Sequence, residues 1–474
     1  MNAPATSSAP PLSGKLNLQL SIMMFLQYAI WGAWLPLFFS FAFEHRGIPI
    51  EQVGILFSVA AVGALAAPFI SGQIADRYFN TEKFLGLSHI VGAVMVWQLG
   101  SIETYSGLLI FGILYSMIYA PTLALTNSLA FHHLPSRDRD FGKVRVWGTI
   151  GWIVVGIGMG QWLLMNHSPK DAAAMAVFEK MKAEDQATLK ADAAKANPGA
   201  TPEQLNKAIA DKVTRKVQVA GMADCFKLSG ILGVILGIYC FMLPKTPPKQ
   251  GVQKFAPGEA LKFVGKMPLL ALFLISFPVS CIHQFYFVHT AGFLGNIKSE
   301  LADKINWAFG VGGGGLMTIG QIFEIVVLAF MPIVARKLSR KSLLTIGMVA
   351  YALRFAVFAY STNLGLIVPT LALHGLCFGC FFFVAFMIVD EETPADVRAS
   401  AQGLFNFVVI GLGTIVGNLF AGYVGKLANA SGTLSYKTLF SVPMWVAIGC
   451  LVVLLAIYPS RRGPSPAALE PAKA

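Results

Sequence analysis

The chain has 474 residues, of which 55% are hydrophobic and only 13% charged, about half the charged share of an ordinary soluble chain. Such a composition excludes a soluble enzyme. The 36 Lys and Arg against 24 Asp and Glu leave a formal charge of +12, but basic loops on one side of a membrane produce the same excess, so no nucleic acid partner is assigned.

Twelve apolar runs of about 20 residues, each able to cross roughly 30 Å of hydrocarbon as a helix, are expected along the chain. The first two fall near 18–42 and 52–72. No cleavage-type small-residue site follows the first, so it reads as a retained span rather than a signal peptide. The third, 83–102, contains His89 and Gln98, and the fourth, 107–131, contains Tyr119, Thr122 and Asn127; these read as interhelical hydrogen-bonding groups. The fifth, 144–166, places Arg145, Thr149 and Trp152 at i, i+4 and i+7, on one helical face. A guanidinium, a hydroxyl and an indole in one stripe suit a polar ring ligand, the indole by stacking and the others by hydrogen bonds. The competing reading is that Arg145 only snorkels to the membrane surface.

Between spans five and six, the stretch 167–218 holds 16 of the 60 charged residues. Ser168-Pro169 and Thr201-Pro202-Glu203-Gln204 each put a capping hydroxyl before a first-turn proline, and Asn197-Pro198-Gly199 breaks the chain between them, which predicts two short helices. It reads as a solvated insertion rather than a substrate-capturing lid. The sixth span, 222–243, ends at a polar break from Pro244 to Lys266 that divides the chain into six spans and six spans, with a tail at 1–17 and another at 460–474. Two six-helix bundles, 18–243 and 267–459, joined by a linker at 244–266, give an all-α membrane protein with a ligand near mid-membrane between them.

Span seven, 268–291, carries His283, Gln284, Tyr286 and His289, which are too few ligands for a metal site. Span eight, 307–335, opens on Gly312–Gly315, where close helix approach or a bend is expected. Its centre holds Glu324, the one Asp or Glu that cannot be assigned to a loop or a span edge, with Gln321 one turn before it. A carboxylate in hydrocarbon costs several kcal/mol if ionised and unpaired, so Glu324 is expected to face the bundle interior or a partner and is the candidate proton site. Spans nine to twelve follow near 341–361, with Arg354; 364–389, with His374 and a Cys377-x-x-Cys380 pair read as packing rather than redox; 397–425; and 438–459, and Arg354 and His374 read, like the polar groups of spans three and four, as interhelical hydrogen-bonding groups. No cofactor and no disulfide framework is implied. Short loops on the side of the termini hold fifteen Lys and Arg against five on the other side, which predicts both termini cytoplasmic and the insertion outside.

Several segments resemble a known family. Gly72-Gln-Ile-Ala-Asp76-Arg77 looks like the major facilitator loop signature, although Tyr78-Phe79-Asn80 departs from its usual continuation. Phe25–Trp34 (FLQYAIWGAW), Arg145–Trp152 (RVWGTIGW), Leu353–Tyr360, Arg398–Gly403 and Tyr119–Leu123 resemble the bacterial nucleoside:proton symporters more specifically. The likeness covers both halves and omits only 167–218. It implies proton-driven nucleoside uptake across a bacterial inner membrane by a monomer that takes up a nucleoside and protons within the lipid bilayer. It also implies that Arg145, Thr149 and Trp152 on span five, Gln321 and Glu324 on span eight, and Phe378 on span ten contact the ligand, with Gly72, Asp76 and Arg77 in the conformational loop. On span seven the family shows a glutamine and, three residues on, an asparagine; Gln284 with Phe287, or His283 with Tyr286, could occupy those places. Gly379 stands where the family has an aspartate. The reading is a nucleoside:proton symporter working by alternating access. The rivals are a transporter of another polar solute such as a sugar, a drug/proton antiporter, and a transporter-like sensor.

Overall fold

The computed structural model describes residues 10–70, 80–247, 257–297, 299–394 and 398–459; its regular structure is helical, and no strand occurs among the described residues. Gly72, Asp76 and Arg77 lie outside them. The first six spans are Gly14–His45, Ile50–Ile70, Thr81–Leu99, Tyr105–His133, Arg137–Asn166 and Asp224–Cys240. The second six are Leu269–Asn296, Gly314–Lys337, Arg340–Tyr360, Leu364–Glu391, Ala401–Ala428 and Tyr436–Ile457. Ten of the described helices are long and apolar enough to cross a membrane. Of the other two, span two has a shorter apolar stretch, Ile50–Ala66. Span three opens on a buried Glu82 that accepts from the Thr246 N–H at 2.9 Å. Prolines inside spans four, seven, ten and twelve (Pro121, Pro278, Pro369, Pro443) are compatible with spanning helices because neighbouring helices satisfy the freed backbone groups.

The insertion contains three helices rather than the expected two: Asp171–Glu179, Ala183–Ala196 and Pro202–Gly221. The middle one follows from its alanine-rich run, with Glu184 and Asp185 in the first turn and Lys195 in the last. Thr201 caps as its spacing predicts. Its hydroxyl accepts from the Gln204 N–H at 3.3 Å, and Gln204 Oε1 accepts from the Thr201 N–H at 2.9 Å. Ser168 is no cap, since its hydroxyl donates to the Leu163 carbonyl and accepts from Gln218, both at 2.9 Å. The three helices bury a small core of their own around Ala174, Phe178, Ala193, Ile209, Ala210 and Val213. The last helix leads directly into span six. From it Arg215 reaches span one, where Nε donates to Glu44 Oε2 at 2.7 Å and Nη2 to Ser40 Oγ at 3.1 Å.

The two halves meet tightly at the end that carries the insertion. A Cβ on Gly54 of span two would lie 2.5 Å from the Asn418 carbonyl oxygen of span eleven, so only glycine permits this approach. Ser58 Oγ donates to the Ile415 carbonyl at 3.2 Å in the same seam. Between spans five and eight, the Val311 N–H donates to the Gly160 carbonyl at 3.1 Å, and Gln161 Nε2 donates to the Trp307 carbonyl at 2.7 Å. The turn before span eight holds Gly310, Gly312 and Gly313 at φ of 78°, 91° and 83°, a region residues with a Cβ rarely adopt. This is the bend expected of the glycine run.

Candidate functional site

Glu324 sits mid-span with its side chain 17% exposed. What lies beside it is set by a close crossing of spans eight and ten. A Cβ on Gly375 would come within 2.4 Å of the Phe323 carbonyl oxygen, so the two backbones touch at this level. That contact brings the neighbouring residue, His374, to the carboxylate, with Nε2 3.7 Å from Glu324 Oε2. Gln321 Nε2 is 3.4 Å from the same ring nitrogen. On the far side of the ring, Nδ1 is 2.9 Å from Nη1 of Arg354, a guanidinium with no exposed surface. Tyr286 stacks on His374 at 4.4 Å and lies under Arg354 at 4.5 Å. The centre of the second bundle is thus a polar series, carboxylate to imidazole to guanidinium, enclosed by aromatic rings.

The expected ligand residues are not equally placed. Gln321, Glu324, Gln284 and Phe378 are half-buried, whereas Tyr286 is fully buried behind His374. On span seven, Gln284 and Phe287 are the half-buried pair, and His283 and Tyr286 belong to the core of the bundle. Gln284 Nε2 reaches Thr414 Oγ1 of span eleven at 3.4 Å, and the Tyr351 hydroxyl lies 2.6 Å from His283 Nδ1. His289 bonds the Ala421 carbonyl at 3.1 Å, away from this group. Phe378 sits one turn beyond His374 with its ring 6.2 Å from Phe382. A Cβ at Gly379 would meet Val327 at 2.6 Å, so the side chain the resemblance expects there faces span eight and has little room.

Across the interface, Arg145 is half-buried with its guanidinium 4.1 Å over the Tyr28 ring of span one. Its helix, span five, packs against span eight, which carries Glu324. Thr149 is half-buried one turn on. Trp152 is 9% exposed, packed on Gly32 and edge-on to Trp31 at 5.9 Å. Trp31 in turn lies 6.3 Å from Tyr119, so the indole belongs to an aromatic group rather than standing alone. Tyr28 and Trp31 pack on the expected ligand residues Arg145 and Trp152, and polarity alone does not pick them out, because aromatics are abundant in every span. Arg354 and His374, expected from the sequence to bond between helices, do so with each other across spans nine and ten.

Among the described residues no group of three His, Cys, Asp or Glu is arranged to hold a metal. All six cysteines are free and buried. The chemistry on offer is a carboxylate able to take and release a proton, with amide, guanidinium and hydroxyl groups placed to hydrogen-bond a polar ring and aromatic faces to stack on it.

Residues 14–177 and 211–462 match the model of the nucleoside H+ symporter family, the gap falling within the insertion. The chain is 26% identical over 460 residues to the putative nucleoside transporter YegT of Escherichia coli (strain K12), covering 94% of this chain and 92% of that one. It is 24% identical to the nucleoside permease NupG of the same organism, over 93% and 94% of the two chains. The crystal structure of nucleoside transporter NupG superimposes with a TM-score of 0.74 at 22% identity, covering 93% of this chain and 98% of that one. That of a D-xylose-proton symporter superimposes at 0.63 with 11% identity over 96% and 100%, which reflects the shared fold alone. Matched over both of its halves, the chain belongs to the nucleoside H+ symporter family and is a multi-pass, proton-coupled nucleoside transporter of the major facilitator fold.

Proposed function

We propose that Glu324 carries the coupled proton and that the nucleoside is held between spans five and eight. Arg145, Thr149 and Trp152 would contact it from the first bundle, and Gln321, Gln284 and Phe378 from the second, with Tyr286 as support behind them. The observation that carries this reading is the half-buried mid-span carboxylate of Glu324, beside Gln321 and His374 on a helix packed against span five. In this reading the chain is a monomer in the bacterial inner membrane, with both termini and the 244–266 linker cytoplasmic and the insertion outside. The tight seam at the insertion end is then a closed outer gate, and transport alternates this state with one in which the seam parts. The loop carrying Gly72, Asp76 and Arg77 takes part in that exchange.

The driving force is adequate. One proton moving down about 150 mV supplies roughly 3.5 kcal/mol, enough to accumulate a neutral solute on the order of 300-fold. The test is radiolabelled uridine uptake into proteoliposomes with an imposed pH gradient. Wild type should accumulate uridine and admit protons with it. Glu324→Gln keeps the shape but cannot cycle a proton, so it should exchange uridine across the membrane without accumulating it. Full accumulation by Glu324→Gln would remove the carboxylate from coupling, and inhibition by disaccharides but not by adenosine would reassign the solute.

A further inference from the structure

Arg354 and His374 have a consequence for coupling that is independent of the ligand contacts. A guanidinium stays protonated throughout the accessible pH range and has only N–H groups to offer. With Arg354 Nη1 2.9 Å from His374 Nδ1, that nitrogen must be the acceptor. A neutral imidazole accepting at Nδ1 carries its proton on Nε2, and Nε2 is the atom that faces Glu324 Oε2 at 3.7 Å. A half-turn of the Gln321 amide presents its oxygen to the same N–H.

The ring has little freedom to do otherwise. Tyr286 stacks on it at 4.4 Å and His283 at 5.5 Å, both from span seven, and its residue is 1% exposed. His283 is itself engaged by the Tyr351 hydroxyl from span nine. The other charged or titratable groups about this cluster are Cys377 on its own helix and Arg145 across the interface. Protonating Nδ1 would set an imidazolium N–H against a guanidinium N–H, two positive charges in a dry site. Among the described residues the anion placed to balance the buried Arg354, whose Nε and Nη2 have no hydrogen-bond partner, is Glu324 acting through this ring.

Resting on the assignment of Glu324 as the proton site, we propose that His374 is a positioning residue: a neutral imidazole locked by Arg354 with its Nε2–H turned toward Glu324 at 3.7 Å, a dipole that favours the carboxylate until the proton arrives, and never itself the proton carrier. Protonating Glu324 removes the counter-charge of Arg354, so proton binding is felt on spans eight, nine and ten together. This gives the proton a means of shifting the conformation of the whole second bundle.

The experiment compares wild type, His374→Gln and His374→Leu in proteoliposomes, measuring uridine-driven proton influx, gradient-driven accumulation, uridine counterflow and the pH midpoint of uridine binding. Gln can accept from Arg354 through its carbonyl and donate to Glu324 through its amide, but it cannot carry a proton. His374→Gln should therefore accumulate uridine to within about threefold of wild type. His374→Leu should lose accumulation at least tenfold, keep counterflow, and bind uridine with a pH midpoint about one unit more alkaline. Loss of accumulation in His374→Gln with counterflow intact would make the imidazole a proton carrier and overturn the proposal. So would wild-type behaviour of His374→Leu. If His374→Leu is not recovered as folded protein, the His374→Gln result alone separates donor from carrier. Absence of proton influx in wild type would overturn the coupling assignment of Glu324 and this inference together, whereas wild-type influx with an unaffected Leu variant would overturn this inference only.

Discussion

The cation on span five offers the sharpest quantitative test of the nucleoside site. Arg145 sits over the Tyr28 ring at 4.1 Å, and a Cβ on Gly148 would fall 2.6 Å from that ring and 2.9 Å from Arg145 Nη1. The guanidinium is therefore held between a ring and the helix surface at Gly148. In Arg145→Lys the charge survives, but the planar fork and its stacking do not. A half-buried cation–π contact is worth about 0.5–2 kcal/mol, and a directed hydrogen bond from a charged group about 1.5–3 kcal/mol. Losing part of each predicts that uridine binding weakens about 10- to 100-fold at fixed pH. Tyr28→Leu leaves the arginine in place but unsupported and should weaken binding only about threefold. In a double-mutant cycle the two should be coupled by about 0.6 kcal/mol, the whole of the threefold Tyr28→Leu effect, since the ring acts only through the cation. Isothermal titration of uridine into monodisperse detergent-solubilised protein measures all four corners. Unchanged affinity in Arg145→Lys would mean the side chain only anchors the helix, and strict additivity would show that Tyr28 does not orient it.

The insertion and the outer seam yield further expectations. Arg215→Ala removes charge-assisted bonds to Glu44 and Ser40 that hold the last insertion helix on span one, which at about 1.5–3 kcal/mol should loosen the insertion from the first bundle by 10-fold or more; limited proteolysis should then cut the insertion faster than in wild type. Gly54→Val places methyl groups where a Cβ already lies 2.5 Å from the Asn418 oxygen, so it should prevent seam closure and abolish accumulation while leaving the protein folded, as judged by size-exclusion profile. Replacing 171–200 by a short Gly/Ser linker, with Pro202–Gly221 retained, should leave uridine uptake within about threefold, because the first two insertion helices pack chiefly on their own small core; loss of binding in this variant would make the insertion a lid.

How much of this was legible in the sequence follows from which interactions are local. Hydrophobic run length is a local property, so twelve spans and the two-half division were readable without coordinates. The Thr201 capping box was readable for the same reason, being closed within four residues. The third insertion helix was missed because Ala183–Ala196 has no capping hydroxyl to mark its start; it begins after Lys182 without a side-chain cap. Long-range pairs leave no such trace. Arg215 and Glu44 are 171 positions apart, and nothing in either neighbourhood announces the other. On span seven the choice between Gln284 with Phe287 and His283 with Tyr286 turns on a rotation of one residue, about 100° around the helix. Composition cannot settle it, because both faces are polar and aromatic.

Glu324 was legible as a charge in the wrong solvent, and the same physics says more than that a partner must exist. A lone mid-span carboxylate and a lone mid-span guanidinium, on spans eight and nine, are each unstable in hydrocarbon and together tolerable. Direct contact between them would be a poor arrangement for a transporter, since a tight buried pair resists protonation. The structure separates them by one neutral ring, with Arg354 at 2.9 Å from one nitrogen and Glu324 at 3.7 Å from the other. That spacing keeps the pair close enough to offset burial and, under the proposed mechanism, leaves the carboxylate free of a tight pair that would resist protonation. It also explains why span ten needs glycine beside His374: without the contact of Gly375 with the Phe323 backbone, the ring could not stand between the two charges.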